Sequence, residues 1–306
     1  MLPTSPEFSA MIAAREGAAG VEWLSRLPGT VDTLLQTWEL HPQGPTLYGT
    51  CAVVVPVRTA DGGQAALKVG LIDDETRGEP AALRAWAGNG AVRLLRADEP
   101  HGALLLERLD ERRTPLHLPV QQALDVATDL VAELRAPAVA GLRLASDTAG
   151  RWSTELFDDW QRLGRPCGEP LLRSALEVCQ ELSVPVAEPS IVHGDLHDAN
   201  ILGRGPDGWA AIDPKPLAGD PASEVVPLLR NRWSQIRGDD PTDASVGRRV
   251  RRFAERAGLD LDAAYRWCLV RSVDDALWFQ DTGQPERAEI SWDMARCMLT
   301  LRRPHR

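Results

Sequence analysis

One stretch of the sequence, residues 191–219, constrains the fold and the chemistry of this chain more than any other. Two apolar pairs enclose a polar loop, and a third apolar run ends directly on Asp213. Short apolar runs between polar turns are typical of buried strands. We therefore expect two or three short strands to bring three polar side chains to one point: Asp195, Asn200 and Asp213.

The types and spacing of these polar residues suit phosphoryl transfer. The pattern His-x-Asp-x-x-x-x-Asn, which ends at Asn200, is that of kinase catalytic loops, and a second Asp follows for a metal. A carboxylate at Asp195 can orient an acceptor hydroxyl and take its proton. Asn200 and Asp213 offer the hard oxygen ligands that suit Mg²⁺. Asp and Asn also form ordinary turns, but three of them at this spacing against buried runs favour a site.

These residues also carry a resemblance to a known family. A signature resembling that of aminoglycoside and small-molecule phosphotransferases lies at residues 193–197, HGDLH, followed by Asn200. The string at residues 212–221, IDPKPLAGDP, is similar to the branch of streptomycin 6-phosphotransferases and hydroxyurea phosphotransferases. The likeness extends from about residue 38 to about residue 292. It implies a protein-kinase-like fold that uses ATP and Mg²⁺, with the choice between ATP and GTP left open.

A β-hairpin near the start of the chain carries the candidate phosphate-binding lysine. The turn is Asp-Gly-Gly at residues 61–63, and the returning strand contains Lys68. An edge-strand lysine could face water, but its place between apolar neighbours and before a helix favours contact with ATP phosphates. The resemblance implies a carboxylate partner on that helix, which we predict from Glu75 to Ala87. Glu79 is the first candidate and Glu75 the alternative.

The resemblance further implies a hinge after the strand at residues 103–106. There the main-chain carbonyl of Glu107 and the main-chain amide of Leu109 would face the adenine base. Main-chain contacts leave no side-chain pattern in a sequence, so these two positions depend on the resemblance alone.

The periodicity of the apolar residues changes from two to about 3.6 after Asp110. Helices are predicted near residues 119–134, 154–163, 171–182, 223–233, 246–257, 262–280 and 285–302. We therefore predict an α+β, protein-kinase-like two-lobe fold with a small β-rich N-lobe and a larger, mainly helical C-lobe. Residues 1–109 would form the N-lobe, an ATP-covering β-sheet with one helix, and residues 110–306 the C-lobe with the catalytic loop and acceptor site.

The charge balance and the composition limit the partners. The chain has 34 Lys and Arg residues against 44 Asp and Glu residues, a net charge of −10. Such an acidic protein is a poor match for nucleic acid and could attract a cationic substrate. No long uninterrupted apolar run and no signal-peptide pattern occur, so no membrane partner is expected. Five scattered cysteines indicate free thiols, and we expect a cytoplasmic monomer.

Acidic residues in the helical part are candidates for binding a cationic acceptor. Glu224, Asp274 and Asp275 come first, because their helices follow the predicted metal-binding segment. Carboxylates that face amino or guanidinium groups form charge-assisted hydrogen bonds. Each of the three could equally be an ordinary solvated residue on a helix. Two other residues have structural or open roles: His193 should support the loop from inside, whereas Lys215 either reaches a phosphate or forms a surface ion pair.

The leading functional hypothesis is ATP- and Mg²⁺-dependent phosphorylation of a hydroxyl on a small cationic aminoglycoside, above all streptomycin, as in antibiotic resistance. A closely related alternative keeps the chemistry and changes the acceptor to hydroxyurea, another small alcohol or a metabolite. A different class is a nucleotide-binding protein without transfer activity. The presence of Lys68, Asp195, Asn200 and Asp213 together argues against that class. Which hydroxyl is modified is left open.

Overall fold

The computed structural model describes residues 5–302 and shows two compact units, divided between Asp110 and Glu111. The predicted lobe boundary lies one residue earlier, after Leu109. The first unit is rich in β-strand and the second is mainly helical. In residues 5–302, no helix is long and apolar enough to cross a membrane.

The first unit consists of an antiparallel six-stranded sheet and two helices. Its elements are α1 (Pro6–Thr37), β1 (His41–Pro42), β2 (Leu47–Tyr48), β3 (Ala52–Arg58), β4 (Gln64–Gly70), α2 (Glu79–Trp86), β5 (Leu94–Asp98) and β6 (Ala103–Glu107). The strand order is β1-β3-β4-β6-β5, and β2 also pairs with β3. Buried side chains of α1 join those of the central strands in one hydrophobic core.

The alternation of side chains along β4 determines where Lys68 lies. Leu67 and Val69 are almost fully buried and belong to the core shared with α1. Successive side chains of a strand point to opposite faces of the sheet. Lys68, between these two residues, therefore lies on the sheet face opposite α1, where its register partners are Val54 and Leu104.

Helix α2 begins at Glu79, four residues later than predicted. Its first turn is displaced because Asp73 organises the preceding segment into a separate turn: Asp73 Oδ1 accepts hydrogen bonds from the Glu75 amide at 2.8 Å and from the Thr76 amide at 2.7 Å. Such side-chain to backbone hydrogen bonds compete with helix formation. Pro80 then occupies the second helical position, where its missing N–H costs nothing.

The second unit contains five short strands and eight helices among its described residues. The strands are β7 (Arg143–Leu144), β8 (Ser190–Val192), β9 (Ile201–Arg204), β10 (Gly208–Ala211) and β11 (Leu217–Gly219). The helices are α3 (Val120–Glu133), α4 (Ala145–Arg162), α5 (Glu169–Leu182), α6 (Val225–Arg230), α7 (Trp233–Asp239), α8 (Asp243–Ala257), α9 (Leu261–Asp281) and α10 (Pro285–Arg302). Helix α9 is buried along most of its length and contacts α4, α5, α6, α8 and α10.

In the second unit, two predicted helices differ most from the observed ones. The structure begins α4 at Ala145, nine residues before the predicted start, because Ala145, Ser146 and Ala149 are small enough to be buried despite their weak apolar signal. The predicted single helix over residues 223–233 is divided into a 3-10 turn, the six-residue α6 and the start of α7.

Candidate active site

Two antiparallel strand pairs hold the ends of the catalytic loop, residues 193–200. Before the loop, β8 pairs with β11, and after it β9 pairs with β10. The Lys215 amide donates to the His193 carbonyl at 2.8 Å, and the Ile212 amide donates to the Asn200 carbonyl at 2.9 Å. The predicted metal-binding segment is thereby fixed beside both ends of the loop.

His193 supports this arrangement from the interior. It is 1% exposed, its Nε2 lies 3.0 Å from the Ile212 carbonyl, and its Nδ1 accepts a hydrogen bond from the Asp195 amide at 3.3 Å. An imidazole that donates from Nε2 and accepts at Nδ1 is neutral. Burial lowers the pKa of His193 to about 4, which favours the same neutral form. The structure confirms the predicted role of His193 as an internal support.

Asp195 lies half-buried in the middle of the loop. The Asn200 side-chain nitrogen donates to the Asp195 main-chain carbonyl at 2.9 Å, which fixes the backbone between them. Two basic groups lie near the Asp195 carboxylate: Lys215 Nζ is 3.5 Å from Oδ2, and His197 Nε2 is 3.9 Å from Oδ1. Burial lowers the pKa of His197, so the neutral imidazole is favoured there. Lys215 is therefore the cation next to this carboxylate.

Gly194 is the point at which the loop is most tightly constrained. Its φ is +82°, in the left-handed region, and a Cβ at this position would lie 2.3 Å from the Lys215 carbonyl oxygen. Only glycine avoids both the strain and the clash. The Gly194 amide donates to Glu224 Oε1 at 3.1 Å, and its carbonyl accepts from Arg271 Nη1 at 3.2 Å. Two ionisable side chains therefore hold the peptide groups that precede and follow this residue.

The position of Glu224 bears on the prediction that it contacts the acceptor. The residue is 3% exposed, and its carboxylate supports the Gly194 amide. Burial raises the pKa of Glu224 to about 7, against the lowering effect of the main-chain donors. The structure therefore shows Glu224 supporting the catalytic loop, and its contact with an acceptor stays a prediction.

A buried ion pair also anchors the loop, and the sequence analysis missed it. Asp198 is 4% exposed and Arg232 is 5% exposed, and Arg232 Nε donates to an Asp198 carboxylate oxygen. Arg232 Nη2 also donates to the Pro115 carbonyl at 2.7 Å. Asp198 lies within the recognised motif, but nothing local marks Arg232 as its partner or Arg271 as the partner of Gly194, because both arginines come from distant helical segments.

In the first unit, the structure pairs Lys68 with Glu79. Lys68 Nζ lies 2.7 Å from each carboxylate oxygen of Glu79, and the two residues are 8% and 5% exposed. As the first residue of α2, Glu79 also places its negative charge at the end of a helix that favours anions. This contact selects Glu79 over the alternative, Glu75.

The predicted hinge follows β6, which ends at Glu107 opposite Ala65. The Glu107 amide donates to the Arg93 carbonyl at 3.0 Å, and the Arg93 amide donates to Glu107 Oε1 at 2.7 Å. Leu109 is 8% exposed. These contacts fix the backbone around Glu107, and the contact of Glu107 and Leu109 with an adenine base stays a prediction.

The two remaining acidic candidates on α9 have different environments. Asp275 forms an ion pair with Arg230, and the two side chains are each 15% exposed, so its charge is already neutralised. Asp274 has no hydrogen-bond or ion-pair partner among residues 5–302. Burial and then the neighbouring Asp275 raise the pKa of Asp274 to about 7. Of the three predicted acceptor contacts, Asp274 is therefore the one that would gain most from a bound cation.

The hairpin of β9 and β10 positions the two candidate metal ligands. Asn200 precedes β9 and Asp213 follows β10, so both lie at the open end of the hairpin, where the Ile212 amide is hydrogen-bonded to the Asn200 carbonyl. Asp213 adopts a φ of +55°, a left-handed conformation that Asp tolerates better than most residues. In the part of the chain that the structure describes, no three His, Cys, Asp or Glu side chains form a metal-binding group. Two oxygen ligands of this kind fit Mg²⁺ in phosphoryl transfer, which keeps its other positions for waters and substrate phosphates.

The second unit has a kinase-type catalytic loop with an Asp on the following segment, and the first has a buried Lys–Glu pair on a β-sheet. These features define a phosphotransferase of the protein-kinase-like class. The model of the aminoglycoside/hydroxyurea antibiotic resistance kinase family matches residues 37–283. The chain therefore belongs to that family.

Three relatives match over most of their length. The chain is 40% identical to a hydroxyurea phosphotransferase of Kitasatospora aureofaciens over 89% of this chain and 79% of the relative. It is 37% identical to a streptomycin 6-kinase of Streptomyces glaucescens, with 90% of each protein covered. It is 36% identical to a streptomycin 6-kinase of Streptomyces griseus, with 87% of each protein covered.

Solved structures confirm the predicted fold class. The ternary complex of a thermostable mutant of aminoglycoside phosphotransferase APH(4)-Ia with ADP and hygromycin B matches with a TM-score of 0.57 and 16% identity, covering 89% of this chain and 97% of that one. Choline kinase LicA from Streptococcus pneumoniae matches with a TM-score of 0.57 and 11% identity, covering 90% and 99%. At these identities the likeness establishes the fold only.

Proposed function

We propose that this protein transfers the γ-phosphoryl group of ATP to a hydroxyl of a cationic aminoglycoside, with streptomycin as the foremost acceptor. The observation that carries the proposal is the similarity to two streptomycin 6-kinases, at 36–37% identity over nearly nine tenths of the chain. The chain also keeps Lys68, Asp195, Asn200 and Asp213, the side chains that such a transfer needs.

Asp195 would receive the acceptor hydroxyl. Its carboxylate orients the hydroxyl oxygen toward the γ-phosphorus and takes the proton as the new oxygen–phosphorus bond forms. The bond from that phosphorus to the bridging oxygen breaks, and its electron pair leaves with ADP. The loop around Asp195 is fixed by His193, Asn200 and the two side chains that hold Gly194. Catalysis of this kind depends on such positioning.

The nucleotide would be bound by residues of the first unit. The ammonium group of Lys68, held by both carboxylate oxygens of Glu79, would contact the ATP phosphates. The main-chain groups of Glu107 and Leu109 would contact the adenine base. Because these groups are held by a regular sheet and a short helix, they would present a preformed nucleotide site.

Asn200 and Asp213 would hold Mg²⁺, which neutralises charge on the nucleotide phosphates when bound. Asn200→Ala and Asp213→Ala should each raise the Mg²⁺ concentration needed for half-maximal nucleotide binding and half-maximal activity. Titrating Mg²⁺ against the fluorescence of a bound nucleotide analogue tests this independently of turnover. An unchanged Mg²⁺ dependence in both variants would place the metal elsewhere.

Asp274 is the residue that we propose contacts the cationic acceptor. It lies on α9 one helical turn beyond Arg271, which itself binds the Gly194 carbonyl next to Asp195. A guanidinium or amino group beside Asp274 would favour its ionised form and bind through charge-assisted hydrogen bonds. We further propose that a cytoplasmic monomer is sufficient, because ATP is available there and one chain supplies all of these residues.

The decisive experiment is a coupled assay of ADP release with streptomycin, hydroxyurea, other aminoglycosides and no acceptor, followed by mass spectrometry of the product. We expect acceptor-dependent ADP release and a mass gain of one phosphoryl group on streptomycin. Asp274→Asn should raise KM for streptomycin and leave KM for ATP unchanged, whereas Asp262→Asn, an exposed change on the same helix, should alter neither. Streptomycin that is inert with a well-folded enzyme would contradict the acceptor assignment.

Hydroxyurea is the second candidate acceptor, because the hydroxyurea phosphotransferase relative is 40% identical to this chain. Hydroxyurea is small and uncharged, so Asp274→Asn should leave its turnover unchanged. If hydroxyurea is phosphorylated and streptomycin is not, the protein is a kinase whose acceptor is hydroxyurea.

A further inference from the structure

The cations of this chain are almost all arginines. Of the 34 Lys and Arg residues, only Lys68 and Lys215 are lysines. Arginine thus serves nearly every ion pair in the molecule, whether exposed or buried. A lysine ammonium differs from a guanidinium in being a compact point charge with rotatable donors. Lys68 lies where the proposed function places ATP phosphates, and Lys215 lies beside Asp195.

The backbone of Lys215 is fixed against the catalytic loop. Its amide donates to the His193 carbonyl at 2.8 Å, and its carbonyl oxygen lies so close to the α-carbon of Gly194 that no Cβ fits between them. The position of the Lys215 α-carbon relative to Asp195 is therefore set by contacts at both of its peptide groups.

The side chain of Lys215 remains adjustable although its backbone is fixed. Nζ lies 3.5 Å from Asp195 Oδ2, and the side chains are 37% and 18% exposed. That distance allows electrostatic attraction but exceeds the usual length of a direct hydrogen bond. A partly exposed pair of this kind contributes little to stability. Breaking the contact with Asp195 alone would therefore cost little folding free energy when the ammonium group moves to a nearby anion.

We propose that Lys215 is a catalytic residue that donates a hydrogen bond to an oxygen of the phosphoryl group during its transfer to the acceptor. A hydroxyl oxygen bound to Asp195 Oδ2 lies within roughly 6 Å of Nζ, from the observed 3.5 Å and a hydrogen bond of about 2.7 Å. The phosphorus that this oxygen attacks lies about 3–3.5 Å further along the reaction line. These lengths add to an upper limit, and rotation about the side-chain bonds of Lys215 shortens the distance from Nζ to the phosphoryl oxygens.

The proposed contact rests on the phosphotransferase function stated above and assigns a second group to the same step. As the acceptor oxygen bonds to phosphorus, its proton passes to Asp195 and the bridging oxygen leaves with ADP. Lys215 neither gains nor loses a proton in this step. Its ammonium group stabilises the negative charge on the equatorial phosphoryl oxygens, where preformed donors have their largest effect.

The test compares Lys215→Ala, Lys215→Met and Lys215→Arg with the wild type. Removing one such donor should lower kcat by roughly 10²-fold, with KM for ATP changed much less. Lys215→Met keeps the length and apolar stem of the side chain, so it should lose as much activity as Lys215→Ala. Lys215→Arg should recover only part of it. Arg256→Ala removes an ion-paired cation of similar exposure, 42%, and should leave kcat unchanged.

A second comparison separates direct contact with the phosphoryl group from support of Asp195. In single-turnover measurements, Lys215→Ala should still slow transfer when it is added to Asp195→Asn, because its contact is with the phosphoryl group. If it has no further effect there, Lys215 acts only through Asp195, and the inference is overturned. It is overturned as well if kcat of Lys215→Ala stays within twofold of the wild type. Failure of the wild type to phosphorylate any acceptor would instead contradict the proposed function.

Discussion

The first and second units hold their proposed catalytic charges in different ways. In the first, Lys68 and Glu79 hold each other, through two hydrogen bonds between buried side chains on a regular sheet and helix. In the second, Asp195 is held mainly through its backbone, since His193 binds its amide and Asn200 its carbonyl. A side-chain pair tolerates small backbone shifts, whereas a loop held through its peptide groups transmits every shift to the carboxylate. The second unit should therefore be the more sensitive to backbone changes.

The largest effect is expected from Asp195→Asn. The amide keeps the size of the side chain and loses its charge and its ability to take a proton, so kcat should fall by at least ~10²-fold. In the proposed function Asp195 contacts neither the nucleotide phosphates nor Mg²⁺, so nucleotide binding should be almost unchanged, as measured with a fluorescent ATP analogue. If the variant keeps more than a tenth of wild-type kcat, Asp195 is not the group that takes the proton. The comparison of the two units would then lose its basis.

Gly194→Ala tests the backbone side of the comparison directly. The new Cβ would meet the Lys215 carbonyl oxygen at 2.3 Å, so the loop must move, and a displacement of about 1 Å can cost 10²-fold in rate. Gly205→Ala is the matched control, since Gly205 has a φ of +57° with no atom within 4 Å of a Cβ. Both variants should lose about 1–2 kcal/mol of stability to left-handed strain. Only Gly194→Ala should lose activity, and equal kcat values would show that the loop position is not critical.

Local patterns in the sequence predicted some contacts of the site and not others. The strands around Asp195, Asn200 and Asp213 were predictable because the strand–loop–strand pattern is local and its polar residues have fixed spacing. Lys68 and Glu79 lie eleven residues apart, across one strand and one turn, so their pairing was also within reach. Arg232 and Arg271 could not be found in this way, because each meets the loop only after helices distant in the sequence have packed.

Glu224 shows a different limit of the sequence. An acidic residue after an N-cap Asp is read equally well as solvated, as ligand-binding or as buried, and only the packed structure separates these cases. The residues that follow Glu224 in the chain are apolar, which favours burial. The predicted start of α4 was wrong for a different reason. The buried residues of its first turns are Ala and Ser, which give almost no apolar periodicity.

A smaller effect is expected from the side-chain pair of the first unit. Lys68→Ala and Glu79→Ala should each raise KM for ATP by about tenfold, which corresponds to 1.4 kcal/mol. Because the two side chains act as one unit, the double variant should lose less than the sum of the two free energies, with a coupling of about 0.5–3 kcal/mol. Steady-state kinetics at varied ATP measures this cycle. Additive losses would mean that the pair is not a functional unit and would return Glu75 to consideration.

The smallest effect on activity, with a distinct pH signature, is expected from Glu224→Gln. The amide oxygen can still accept from the Gly194 amide, so kcat near neutral pH should change little. In the wild type the folded-state pKa, about 7, lies above the ordinary value of 4.5, so the unfolded chain ionises first as pH rises. The contribution of Glu224 to stability is therefore greatest below pH 4.5 and declines up to pH 7, by roughly 3 kcal/mol.

Urea unfolding of both proteins at pH 5 and at pH 8 measures this difference. Relative to the wild type, Glu224→Gln should be more stable at pH 8 than at pH 5. A difference between the two proteins that does not vary with pH would mean that Glu224 is ionised in the folded state. The support of Gly194 would then be a charged one, similar in kind to the Lys68–Glu79 pair.

The contrast in exposure between the two lysines has a practical consequence for handling the protein. Amine-reactive dyes, biotin esters and activated surfaces couple to lysines and to the α-amino group. Lys68 is 8% exposed and locked to Glu79, whereas the Lys215 side chain is 37% exposed. Of the two lysines, routine amine coupling would therefore modify mainly Lys215 at the catalytic loop, whereas arginine side chains do not react. Immobilised or labelled preparations should be attached through another chemistry, and acylation protected by bound nucleotide would serve as a direct footprint of the occupied site.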